Sequence, residues 1–160
     1  MTELKSQTTS PPTTRFHGDE EGDPALLMGK RVVIVEDEGV TQMQLRRALT
    51  RAGVVVVGSA ANGAEGVAMV LAERPDIVLM DIRMPVMDGI QALTAIRAEM
   101  SVCVVMLTAF ADESSRQIAA QQGACGYIVK PVTGEMLLPR LAHAYNQFSD
   151  SDESGRADGQ

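Results

Sequence analysis

Five short, almost continuously apolar runs punctuate this chain: RVVIVE (31–36), VVVVGSA (54–60), DIVLM (76–80), VCVVML (102–107) and CGYIV (125–129). Strands without polar alternation must be covered on both faces, which is the condition of a parallel sheet between two helical layers. The intervening segments carry helical patterns. In residues 39–52, Leu45, Ala48, Leu49 and Ala52 fall on one face, and Gly53 stands where a left-handed terminator is wanted. Further helices are expected over 64–73, stopped by Arg74 and Pro75, then over 90–100, over 112–122 with Gly123 as terminator, and from a Thr133 cap to Phe148. Right-handed crossovers then favour a doubly wound α/β fold, a five-stranded parallel sheet in the order 2-1-3-4-5.

Composition bounds the core and the ends. Tryptophan is absent and aromatics make up 3% of the 160 residues, so the core must be built from Val, Leu, Ile, Ala and Met. Of the net charge of −7, residues 1–28 carry −3 (two basic, five acidic) and residues 149–160 carry −3 (one basic, four acidic), leaving −1 for 29–148. Both ends are rich in Ser, Thr, Pro, Gly and Asp, and are expected to be disordered around one folded domain at 29–148. The acidic balance argues against direct nucleic-acid binding, whose phosphates demand Lys and Arg. No apolar run approaches the roughly 18 residues of a membrane span, and the N-terminus has no secretion signal, so a cytoplasmic protein is expected. Cys103 and Cys125 both lie in apolar segments and read as free thiols.

In a doubly wound sheet, function gathers beyond the carboxyl ends of the strands. Those ends are Glu36-Asp37-Glu38, Asp81, Thr108 and Lys130-Pro131, and the strand order brings Glu36, Asp37 and Asp81 together. Crowded carboxylates with no His or Cys suit Mg²⁺, and Lys130 and Thr108 add an ammonium and a hydroxyl. Such a set can hold a phosphoryl group on a carboxylate. Each piece alone has a plainer reading: an Asp after a strand as turn or cap, Lys-Pro as a turn, Thr as a structural residue. Their coincidence on consecutive strand ends is the specific signal.

The stretches VVIVEDE, PDIVLMDIRMPVMDGI, VVMLTA and GACGYIVKPV resemble the receiver domain of two-component response regulators, the CheY-like family. The resemblance implies that Asp81 is the phosphoacceptor, taking its phosphoryl group from a sensor histidine kinase or a histidine phosphotransfer protein. It implies Mg²⁺ held by Asp37, Asp81 and the backbone carbonyl of Arg83, with Glu36 acting through a metal-bound water. Glu36-Asp37 departs from the family's commoner pair of aspartates, but the longer side chain still reaches such a water. Thr108 and Lys130 would contact phosphoryl oxygens, and Tyr127 would swing inward when Thr108 moves. The Lys130–Pro131 peptide would be cis. The side chains of Arg83 and Phe110 would flank the path of a hydrolytic water and slow phosphate loss.

Read this way, the chain is a signalling phosphoacceptor that assists its own phosphorylation and dephosphorylation, not an enzyme acting on others. A stand-alone receiver is expected, acting on an unknown downstream protein by contact or as a phosphorelay. Its readout face would be helix 4, strand 5 and helix 5, with Arg116, Ile118, Tyr127, Val132 and Arg140, and that face could pair two copies in a homodimer. An equally weighted plainer reading makes the charges there a solvated surface. Three alternatives stand beside this one. A Mg²⁺-dependent acid-nucleophile phosphatase or phosphotransferase would want an Asp where Arg83 stands. A flavin carrier would want a Ser/Thr/Gly-rich loop in place of Glu36-Asp37-Glu38. A receiver could also belong to a regulator with an RNA- or DNA-binding output module. His17 and His143 are not read as phosphohistidine donors.

Overall fold

The computed structural model describes residues 20–109 and 112–158, with side chains through Ser151. Five parallel strands, β1 (Arg31–Val35), β2 (Val55–Ala60), β3 (Ile77–Asp81), β4 (Cys103–Thr108) and β5 (Gly126–Val129), form one sheet in the order β2-β1-β3-β4-β5. Five helices alternate with them: α1 (Gly39–Arg51), α2 (Gly63–Glu73), α3 (Gly89–Glu99), α4 (Glu113–Gln121) and α5 (Gly134–Asp158). Burial follows strand position as the continuous apolar runs predict. Every residue of β3 and β4 is buried, as are Val32 to Val35 of β1, while the edge strands β2 and β5 are partly open.

The sheet divides the core in two. On one face Val32, Ile34, Leu79, Val105 and Leu107 pack against Leu45 and Leu49 of α1 and Leu137 and Leu141 of α5. On the other, Val33, Val35, Met80 and Met106 meet Val70 of α2, Leu93 and Ile96 of α3 and Ala119 of α4. This two-faced burial is what removes polar alternation from the strands. Local signals also hold. Gly53 and Gly123 adopt positive φ after their helices, Asp88 and Gln91 form a capping box on α3, and the Thr133 hydroxyl accepts from the Met136 N–H. Cys103 and Cys125 are free thiols.

Two boundaries differ from the expectation. Residues 20–28 do not behave as a disordered arm. A 3-10 turn at Pro24–Leu27, capped by Asp23, places Leu27 fully inside the core beside α5. The Gly22 N–H donates to the Pro139 carbonyl at 2.7 Å, and the Lys30 ammonium sits 5.3 Å from the centre of the Tyr145 ring. One buried leucine and a few backbone contacts suffice to order a segment whose average composition is that of a linker. At the other end, α5 continues to Asp158 instead of stopping at Phe148. Extending an existing helix adds a hydrogen bond per residue fixed, far cheaper than nucleating one, so a polar segment without an early Pro or Gly follows its predecessor. Among the described residues no helix is long and apolar enough to cross a membrane.

Candidate phosphoacceptor site

Strand register aligns the functional ends. Val35 pairs with Met80, Asp81 with Leu107 and Thr108 with Val129, so Glu36, Asp81, Thr108 and Lys130 emerge along one edge. Asp81 closes β3 as its last residue. Behind it, Gly89 opens α3 so close to the Asp81 carbonyl that a Cβ there would collide with that oxygen. The Gly89 N–H also donates to the Ile82 carbonyl at 2.7 Å, which fixes the turn below the carboxylate.

Carboxylate oxygens of Glu36, Asp37 and Asp81 lie within 4.8 Å of one another. Glu36 and Asp81 are buried and Asp37 is exposed. Lys130 reaches between the two buried acids, its Nζ 3.1 Å from Asp81 Oδ2 and 3.2 Å from Glu36 Oε1. The contact to Asp81 is a hydrogen bond. The contact to Glu36 is an ion pair without hydrogen-bond geometry, and it leaves the buried Oε1 without a hydrogen-bond partner. Glu36 Oε2 accepts from the Glu38 N–H at 3.0 Å, and Asp81 Oδ1 from the Arg83 N–H at 3.3 Å.

One ammonium does not compensate this much buried acid. Burial pushes the Glu36 carboxyl up; the Glu38 N–H opposes it, the Asp81 charge adds to it, and the result is about 7. Burial likewise raises Asp81 above its ordinary value despite the Lys130 hydrogen bond. Burial alone would lower Lys130, but the Asp81 and Glu36 carboxylates outweigh it and hold the ammonium above its usual range. A cluster of hard oxygens, one of them an orphaned buried acceptor, fits a small divalent cation.

The remaining expected residues fall into two groups. Thr108 is buried at the strand end, its hydroxyl donating to the Ala109 carbonyl at 3.2 Å, and the Lys130–Pro131 peptide is cis. Asp81, Thr108, Lys130, Asp37 and Arg83 line one cleft of about 240 Å³. Tyr127 stands off the cleft in β5, where the Arg116 guanidinium lies 4.9 Å from its ring centre. Arg116 is therefore largely covered: its side chain is 14% exposed, and it also donates to the Ala109 carbonyl. Ile118 is exposed on the same helix. Phe110 lies outside the described residues.

Sequence reading missed Asp112. Its buried carboxylate lines the same cleft and receives a two-pronged contact from Arg83, Nε to Oδ2 at 3.1 Å and one terminal nitrogen to Oδ1 at 3.2 Å. Burial would raise this carboxyl, but the nearby Ser115 hydroxyl, Arg83 and the Arg116 charge bring it below its ordinary value. The available signal was an Asp at the start of the helix expected over 112–122, where an acidic residue is ordinary and points to no partner.

A family model described as the response regulator receiver domain matches residues 32–142. The chain is 40% identical over 123 residues to the chemotaxis protein CheY of Thermotoga maritima, covering 76% of this chain and 99% of that protein. It is 36% identical over 121 residues to the transcriptional regulatory protein PdtaR of Mycobacterium tuberculosis, covering 76% of this chain and only 59% of PdtaR. Among solved structures it is similar to the CheX-CheY-BeF3-Mg+2 complex of Borrelia burgdorferi, with a TM-score of 0.70, 32% identity, and coverage of 74% of this chain and 90% of that one.

Proposed function

This chain belongs to the response regulator receiver family, and from that membership we propose that Asp81 is its phosphoacceptor, charged by a phosphohistidine on a sensor kinase or phosphotransfer protein. The observation that carries the reading is Lys130 bridging Glu36 and Asp81 inside a carboxylate cluster at the carboxyl edge of the sheet. In the transfer an Asp81 carboxylate oxygen forms the new bond to phosphorus while the phosphorus–nitrogen bond of the donor histidine breaks, its electron pair returning to the imidazole. Lys130, already 3.1 Å from Asp81, pairs with the phosphoryl oxygens as their charge shifts. Thr108 turns its hydroxyl from the Ala109 carbonyl toward another of those oxygens.

Asp37, Asp81 and the Arg83 carbonyl would hold Mg²⁺, with Glu36 through water. When bound, the ion supplies positive charge that offsets the repulsion between donor phosphate and carboxylates. Arg83 and Phe110 tune the later loss of phosphate. Output runs by contact with a downstream protein through α4, β5 and α5, inside the cell. A readout by contact is supported by the likeness to the CheY of the CheX-CheY-BeF3-Mg+2 complex, in which a receiver is bound to a second protein.

The deciding experiment is incubation with acetyl phosphate and Mg²⁺, followed by intact mass. The expected result is one labile phosphoryl adduct in the wild type and none in Asp81→Asn, whose circular dichroism stays native. An adduct retained in Asp81→Asn refutes the assignment.

A further inference from the structure

Asp112 occupies the position before the first residue of α4, and aspartate is among the best helix-capping residues. Its side chain nevertheless makes no capping hydrogen bond. Both oxygens are instead engaged by the Arg83 guanidinium, in the fork geometry that Arg forms with carboxylates and phosphates alike. The two partners belong to different loops, one following β3 and one following β4, and both line the cleft that holds Asp81 and Lys130.

A phosphoryl group on Asp81 would enter this cleft with a charge of about −1.5 to −2. It would face two side chains of opposite effect. Arg83, with its side chain 74% exposed, has little packing to hold it in place. Asp112 is a buried anion that the newcomer repels. A guanidinium offered a phosphoryl group in place of a carboxylate can exchange one bidentate partner for another. The Ser115 hydroxyl already acts on this carboxylate, and once Arg83 leaves, the freed oxygens can also accept from the Ser115 N–H in the first turn of α4.

We propose that Asp112 is a positioning residue with two alternative partners: it holds Arg83 aside in the resting protein and caps α4 once a phosphoryl group on Asp81 has claimed that guanidinium. The proposal rests on the phosphoacceptor reading of Asp81. It extends that reading by coupling the site to the start of α4 through one carboxylate, separately from Thr108 and Tyr127. Arg116 makes that start a sensitive point, because it ties the first turns of α4 to the Ala109 carbonyl and to Tyr127.

The test is the hydrogen-exchange rate of the Ser115 amide, read by NMR on the full chain with and without beryllofluoride and Mg²⁺. Loading is scored independently by the fluorine resonances of the bound adduct. In the wild type, loading should slow exchange at Ser115 about fivefold, the effect of a capping contact of about 1 kcal/mol. Arg83→Gln should show that protection before loading, because its Asp112 is already free. Asp112→Asn, which still caps but no longer forms an ion pair, should do the same, while Asp112→Ala should stay unprotected in both states. Loading of the wild type without a change at Ser115 overturns this proposal alone, as does an Arg83→Gln variant indistinguishable from unloaded wild type. If the wild type takes up neither beryllofluoride nor a phosphoryl group, the phosphoacceptor reading falls, and this proposal falls with it.

Discussion

Glu36→Gln should stabilise the metal-free protein at pH 8 and flatten its pH dependence. Glu36 is fully buried, beside Asp81, with Oε1 lacking a hydrogen-bond partner. Its carboxyl is raised from 4.5 to about 7, chiefly by burial. Between those two values the folded chain keeps a proton that the unfolded chain releases, so stability falls as pH rises. The relative stabilisation is fully present below about 4.5 and lost above about 7. At about 1.4 kcal/mol for each pH unit, the loss is on the order of 3 kcal/mol. The assay is urea unfolding from pH 4.5 to 8 in EDTA, wild type against Glu36→Gln. The difference should grow across the window and reach up to about 3 kcal/mol at pH 8. Mg²⁺ should then recover much of that difference for the wild type by compensating the ionised cluster. Parallel stability curves for the two proteins would refute the argument that burial of this acid is uncompensated.

Three further outcomes follow from the same geometry. Asp37→Ala should weaken Mg²⁺ binding at least tenfold in a metal titration, while Arg83→Ala, which leaves its backbone carbonyl in place, should change it little. Leu27→Ala should cost about 2–5 kcal/mol in urea unfolding, because the side chain is fully buried against the α1–α5 core; a cost below about 0.5 kcal/mol would mean the N-terminal turn is not part of the folding unit. Phe110→Glu with Arg83→Asn should speed loss of phosphate from the purified phosphoprotein about tenfold, or ~1.4 kcal/mol off the barrier, and an unchanged rate would exclude these two positions as a brake.

How far the sequence could be read depended on whether a feature's cause was local. Residues 32–35, 77–80 and 103–107 are apolar at every position because helices cover both faces, so pattern exposed the sheet and the right-handed crossover rule gave its order. The site was legible for a related reason: in a parallel sheet, residues that end successive strands must share an edge, which joins Glu36, Asp81, Thr108 and Lys130 without knowledge of any loop. What stayed hidden depended on a single tertiary contact. Leu27 is one apolar anchor in an acidic, Pro- and Gly-containing stretch, and only its seat beside α5 distinguishes it from a linker residue. Asp112 stands at the start of an expected helix, where an acid is ordinary, and only the fold brings Arg83, 29 positions away, to occupy its carboxylate.

The charges of the site connect these findings. Three carboxylates converge on one another, and the Lys130 ammonium is shared by the two that are buried. Burial raises both Glu36 and Asp81, the Asp81 charge adds to the rise of Glu36, and the clustered oxygens suit a divalent cation. A phosphoryl group arriving on Asp81 restores a deficit of positive charge even when Lys130 and the cation are in place. Within the cleft, the other cation is Arg83, and in the resting state Asp112 already neutralises it. Phosphorylation therefore sets two anions in competition for one guanidinium, and the loser is the residue just before α4. A signal written as charge at Asp81 can in this way be read as a change of helix cap, because the counterion it recruits was holding that cap open.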